Sequence, residues 1–91
     1  MQTLGDQTVH YWLAQKMAKI TETDLVAAME TAGLTQEDWA EMVQACRGCD
    51  WSDGCPRWLE RQAEPVDLAP SECVNRDRFA ALKSALEAQE A

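Results

Sequence analysis

The chain has 91 residues, 46% of them hydrophobic and 26% charged, which suffices for one folded core and leaves no room for a second. Sixteen carboxylates against eight Lys and Arg give a net charge of −8. That balance argues against gripping a phosphate backbone or docking on anionic lipid, both of which need clustered basic side chains.

No targeting or membrane segment is read from the sequence. No stretch approaches the roughly 18 apolar residues of a spanning helix. Met1 to Lys16 carries Asp6, His10 and several Gln and Thr, where a signal peptide needs an unbroken apolar run. The expected location is therefore a reducing cytoplasm, in which structural disulfides are rare. Four cysteines in that setting point to metal or redox chemistry.

The hydrophobic period is helical throughout, with no convincing strand. A first helix is expected from about Thr8 to Ile20, with Val9, Trp12, Leu13, Met17 and Ile20 inward. Thr21 or Thr23 can cap a second helix, and Glu22 and Asp24 suit the positive end of its dipole. That helix turns Leu25, Val26 and Met29 inward and stops at Gly33, a natural left-handed terminator.

The third helix has the best start signal. Thr35 is its cap, Asp38 sits three residues on, and Leu34 can staple to Trp39. Trp39, Met42, Val43 and Cys46 then follow at i, i+3, i+4 and i+7, which puts Cys46 on the buried stripe. Gly48 should end the helix with a sharp turn.

A turn follows through Asp50, Ser52, Asp53 and Gly54. A fourth helix runs from about Pro56 to Gln62, with Trp58 and Leu59 inward. Pro65 and Pro70 bracket an irregular connection. Ser71 or Asn75 then caps a last helix whose core stripe is Phe79, Leu82 and Leu86. The expected fold is all-α: a single domain over residues 1–91, a small bundle of four or five short helices organised around a four-cysteine site.

The cysteines are Cys46, Cys49, Cys55 and Cys73, spaced C-x2-C-x5-C-x17-C. The two-residue gap lets Cys46 and Cys49 reach one centre, with Gly48 easing the backbone between them. Cys55 and Cys73 both stand near helix starts, where free N–H groups favour thiolate. Four readings compete. Four thiolates satisfy a structural zinc ion, although zinc ribbons and fingers usually carry two C-x2-C pairs and here there is one. Four thiolates also hold an iron–sulfur cluster. Cys46-Arg-Gly-Cys49 could serve as a redox dithiol, but that motif belongs with a strand-containing fold. The fourth reading is four partly buried thiols, or disulfides formed in air.

From Cys46 to Cys55 the run resembles the cysteine spacing of two groups of [4Fe–4S] regulators, the fumarate–nitrate-reduction type and the small helical WhiB-like type. Endonuclease III-type glycosylases share the C-x2-C-x5-C run. Here the fourth cysteine follows the triplet, whereas in WhiB-like proteins it precedes it. The wider pattern Cys-Arg-Gly-Cys, Gly-Cys-Pro-Arg-Trp-Leu, Pro-Ser-Glu-Cys-Val-Asn, then Phe79 and Leu82 resembles a family of short uncharacterised proteins frequent in alphaproteobacteria. That resemblance spans about residues 20–88. It implies a shared helical fold and a deliberate four-cysteine set, and brings no established activity.

The other candidates are weaker. His10 is the one histidine; it could replace a cysteine as ligand, but a lone helical histidine is usually structural or exposed. Trp12, Trp39, Trp51 and Trp58 read as core and turn packing, with Trp51 and Trp58 placed to shield a cluster from water. Met17, Met29 and Met42 read as core filler. All five arginines fall in residues 46–79, where they could offset a negatively charged metal–thiolate centre. No nucleophile–base set can be named, so an enzyme is not expected. The expected function is a small metal-binding protein with all four cysteines as ligands, an iron–sulfur carrier, redox sensor or regulator acting through a protein partner. The alternative is a zinc-stabilised interaction adaptor with no redox role.

Overall fold

The computed structural model describes residues 5–51 and 53–90. Among them are five helices and no strand: α1 (Gln7–Ile20), α2 (Leu25–Thr31), α3 (Gln36–Arg47), α4 (Gly54–Arg61) and α5 (Arg76–Glu90). None is long and apolar enough to cross a membrane. The all-α expectation holds.

Helix α1 starts one residue earlier than expected because Asp6 caps it, accepting the Val9 N–H at 3.0 Å. Its buried face is His10, Leu13, Ala14, Met17 and Ala18. Val9 and Trp12, expected inside, are exposed by 54% and 56%. The buried face of α1, which carries the small Ala14 and Ala18, packs on α3 and α4, and Val9 and Trp12 fall outside it. Trp12 stands edge-on to Tyr11, which in turn meets buried Trp39 edge-on.

The α1–α2 turn corrects the expected caps. Asp24, not Thr21 or Thr23, caps α2 by accepting the Ala27 N–H at 3.0 Å. Thr21 and Thr23 are instead buried. The Thr21 hydroxyl donates to the Met17 carbonyl at 2.8 Å, which leaves Thr23 to donate to Thr21 Oγ1 across 3.1 Å. Glu22 ends α1 in a Schellman arrangement: its N–H meets the Lys19 carbonyl, and Thr23 N–H meets the Ala18 carbonyl, the pairing expected when the intervening residue is left-handed. Glu22 does hold φ +56°, a region that strains an L-residue with a Cβ and that glycine enters freely. Glu22→Gly should therefore stabilise the protein by about 0.5–1 kcal/mol, read as a rise in melting temperature; an unchanged or lower value would contradict the assignment.

Helix α2 buries Ala28 completely, while Leu25 and Met29 are half-buried and Val26, expected inward, is 67% exposed. Gly33 lies at φ +77° just past its end, as its position in the sequence implies.

The start of α3 is as expected. Asp38 N–H donates to Thr35 Oγ1 and Thr35 N–H donates to Asp38 Oδ2, each at 3.0 Å. The Thr35 N–H, and after it the Thr35 hydroxyl, hold the Asp38 carboxyl below its ordinary range. Leu34 and Trp39 both join the core. The helix ends at Gly48, but with φ −94°, so this stop does not use glycine's left-handed freedom.

Helix α4 begins two residues before Pro56, at Gly54. A Cβ on Gly54 would run into the indole of Trp51, so glycine is what lets that ring lie against the helix start. Trp58 and Leu59 pack on the core but stay half-buried. Before α5, the Asn75 carbonyl accepts the Phe79 N–H, and its side-chain amide reaches across to the Met42 carbonyl at 2.8 Å. Phe79 is fully buried, and Leu82 and Leu86 are half-buried against the same core.

Candidate functional site

Six parts of the chain meet at one small cavity. Helix α1 contributes His10, Leu13, Ala14 and Met17, and α3 contributes Cys46 from its last turn. The following turn supplies Cys49 and Trp51, and α4 supplies Cys55 from its first turn. Cys73 and Asn75 arrive ahead of α5, which closes the far side with Phe79. All four cysteines named from the sequence therefore line the same space. Each is a half-buried free thiol. The cavity between them is about 20 Å³, roughly the room one water needs.

Local chain direction explains the convergence. Cys46 can look back at α1 because it lies on the side of α3 that packs there. Cys49 N–H bonds to the Cys46 carbonyl at 3.1 Å, which folds the turn under the helix end. Cys55 N–H bonds to the Trp51 carbonyl and fixes the start of α4 beside it. The segment between α4 and α5 is tied down by Val66 N–H on the Ile20 carbonyl and by Arg76 Nε on the Ala69 carbonyl. Cys73 itself is set in a turn, its N–H on the Pro70 carbonyl at 3.0 Å and its carbonyl accepting the Arg76 N–H at 3.1 Å.

The thiols feel their burial and one another. Withdrawal from water, then the neighbouring Cys55, Cys49 and Cys73 sulfurs, push the Cys46 thiol up to about 12. The same two causes push Cys55 up to about 11. Cys73 is also raised by burial, against a lowering bond from the Asn75 backbone N–H. Without metal, the Cys46 and Cys55 thiols are protonated at neutral pH. Cys46 Sγ then lies 3.6 Å from the His10 carbonyl, and Cys49 Sγ lies 3.7 Å from the Glu72 carbonyl, each positioned to donate.

A pH dependence follows for the reduced, metal-free protein. Unfolded cysteines ionise near pH 8.5, while Cys46 and Cys55 in the fold hold their protons to about 12 and about 11. Their contribution to stability is complete below about pH 8.5 and is lost as pH rises toward the folded values, because the unfolded chain ionises first. Melting temperature should fall between about pH 9 and 11, and fall less steeply in Cys46→Ala. A flat profile over that range would contradict it.

His10 is the functional candidate that sequence reasoning undervalued. It is buried, at 6% exposure, and its Nδ1 lies 3.5 Å from Cys46 Sγ. Gly5 packs over the ring so closely that a Cβ there would overlap it. Gly5 is itself held from both sides by Arg47: its N–H donates to the Arg47 carbonyl at 3.0 Å, and Arg47 Nε donates to the Gly5 carbonyl at 2.8 Å. A Cys–His pair can be a nucleophile and its base, but an activated thiol has a depressed pKa, and Cys46 is displaced the opposite way.

Other expectations resolve in part. Trp51 does wall the cysteine cavity, and Trp58 backs it with ring centroids 6.3 Å apart. Among the arginines, Arg47, Arg61 and Arg76 donate Nε to the carbonyls of Gly5, Arg57 and Ala69, and Arg78 pairs with Glu41 at 3.5 Å. Ser52 of the expected turn lies outside the described residues.

Among the described residues, no three or more His, Cys, Asp and Glu side chains already form a group that could hold a metal ion. The four thiols share one cavity wall without closing to a single ion's ligand sphere, which for zinc means sulfurs about 2.3 Å from a common centre. Cys49, Cys55 and Cys73 stand on turns or in a first helical turn.

No curated protein and no solved structure matches the chain. The model of DUF6455, a family of unknown function, matches residues 1–85, and the chain belongs to that family.

Proposed function

We propose that this chain is a small metal–thiolate protein in which Cys46, Cys49, Cys55 and Cys73 hold one iron–sulfur cluster. The observation that carries the reading is the meeting of four thiols, from four separate stretches of chain, on one cavity walled by Leu13, Met17, Trp51 and Phe79. Four cysteine thiolates are the ligand set of such clusters. The triplet spacing, which resembles that of [4Fe–4S] regulators, favours a cluster over a single ion. When bound, the cluster supplies one-electron chemistry. The chain's own residues supply four sulfurs, an apolar wall against water and an N–H from Asn75 to the Cys73 sulfur.

The role that fits is an electron carrier, redox sensor or regulator in the cytoplasm, exercised through a protein partner. A charge of −8 gives no basis for direct binding to nucleic acid or to an anionic membrane. The fold is not read as an enzyme.

One observation favours a second reading. The cavity of about 20 Å³ is closer to the size of one ion than of a cluster, which suits a zinc-stabilised interaction adaptor without redox chemistry. Purification without oxygen separates the two. A cluster protein is brown, with broad thiolate-to-iron absorption and matched iron and sulfide. Colourless protein with one tightly held zinc gives the zinc reading, and protein with neither metal overturns both.

A further inference from the structure

We infer that His10 is the fifth member of this centre, a positioning residue that donates a hydrogen bond from Nδ1 to the Cys46 sulfur and sets how tightly and at what potential metal is held. The inference rests on the metal–thiolate reading above and adds a residue outside the four-cysteine set. Its basis is geometric: Nδ1 lies 3.5 Å from Cys46 Sγ, on a ring that is buried and walls the same cavity.

The direction of the bond follows from what a ligand thiolate can do. As a free thiol, Cys46 has one S–H and two nearby acceptors, the His10 carbonyl and Nδ1. As a metal ligand it has no proton, so the contact survives only if the imidazole donates. A carbonyl facing a thiolate repels it, which makes the Nδ1–H bond the favourable contact from α1 once metal is bound. Outer-shell donors of this kind fix ligand orientation, and their removal typically costs 10–100-fold in metal affinity. Hydrogen bonds to the sulfurs also tune cluster potentials: by drawing charge from sulfur they stabilise the reduced, more negative state.

Two features show that the ring is held in place rather than merely buried. The close approach of Gly5 leaves no space for even a methyl group above the imidazole. Gly5 is in turn fixed by its two bonds to Arg47, the residue next to Cys46. The end of α3 thus carries both the sulfur and the clamp that presses the histidine toward it.

The test uses the full chain as wild type, His10→Leu and His10→Asn. Leucine and asparagine have nearly the same shape, and asparagine alone keeps an N–H donor. Metal affinity is measured by chelator competition with whichever metal the wild type holds, and the midpoint potential is measured if that metal is a cluster. The expected result is a 10–100-fold loss of affinity in His10→Leu, a lower potential if redox-active, and substantial recovery of both in His10→Asn. Equal affinity and potential in wild type and His10→Leu would overturn the inference, as would equal losses in the two variants. Should His10→Leu fail to fold, the wild type labelled with ¹⁵N-histidine decides. A weak nitrogen coupling to the reduced cluster, or to cobalt in a zinc site, supports the hydrogen bond. No coupling, or the strong coupling of a direct ligand, overturns it. A wild type that binds no metal refutes the metal–thiolate reading itself, which is a different result from a His10→Leu protein that binds as well as wild type.

Discussion

Under the metal–thiolate proposal, replacing Cys73 by serine should strip the metal and lower the melting temperature in the same step. Cys73 is the remote member of the set, brought to the cavity by the segment between α4 and α5. A metal held by Cys46 and Cys73 together ties the end of α3 to the start of α5, and binding free energy gained only in the fold is folding free energy. For structural zinc in small peptides it reaches about 10–16 kcal/mol at neutral pH. A 91-residue chain has a stability of roughly 5–10 kcal/mol in all, so loss of one ligand should be visible in any melt. In the metal-free state the same substitution should be nearly silent, because serine can still accept the Asn75 N–H that cysteine receives. The contrast between loaded and stripped protein is the measurement. A Cys73→Ser protein that keeps full metal content and its melting temperature removes Cys73 from the centre and ends the four-ligand reading.

Cys46→Ser is the informative companion. Its position on the apolar face of α3 suggests that a serine hydroxyl would be buried without a partner, at a cost of about 1–3 kcal/mol. The His10 carbonyl and Nδ1 beside the sulfur provide that partner. The metal-free variant should thus lose less than about 1 kcal/mol, while metal is lost as in Cys73→Ser.

The second large effect belongs to Phe79. Its side chain is fully buried, belongs to the central cluster and also forms one wall of the cysteine cavity. Phe79→Ala should cost about 3–5 kcal/mol, the transfer free energy of the ring together with the cavity it leaves. At roughly 4–8 °C per kcal/mol for a domain of this size, the melting temperature should drop by more than about 12 °C. The cavity beside the thiols would also enlarge and admit water, so metal should be lost faster to a chelator. A drop of only a few degrees with unchanged chelator kinetics would show that Phe79 is not what holds α5 against the site.

Much of this was legible in the sequence because it is local. The Thr35–Asp38 box forms within four residues, and Gly33 ends α2 by its own backbone freedom. Neither needs a distant partner, so pattern and structure agree. The Cys46, Cys49 and Cys55 triplet was legible for a related reason, its close spacing at helix ends, whereas Cys73 reaches the cavity only through the segment between α4 and α5. Capping at the α1–α2 turn was not, since Thr21, Thr23 and Asp24 are all competent caps within four positions. The choice of Asp24 depends on Thr21 and Thr23 being drawn into buried bonds with the end of α1.

The sequence alone thus determined an acidic, all-helical chain, the places where its helices start and stop to within a few residues, and the four cysteines to watch. Tertiary structure decided which way α1 faces and what stands beside Cys46. Hydrophobic periodicity favours Val9 and Trp12 as core residues, yet the face that α1 turns into the bundle carries the small Ala14 and Ala18 and leaves the larger pair to solvent. That same face buries His10 against a sulfur 36 residues away. A contact of that separation leaves no periodic trace, because it exists only once two helices have packed.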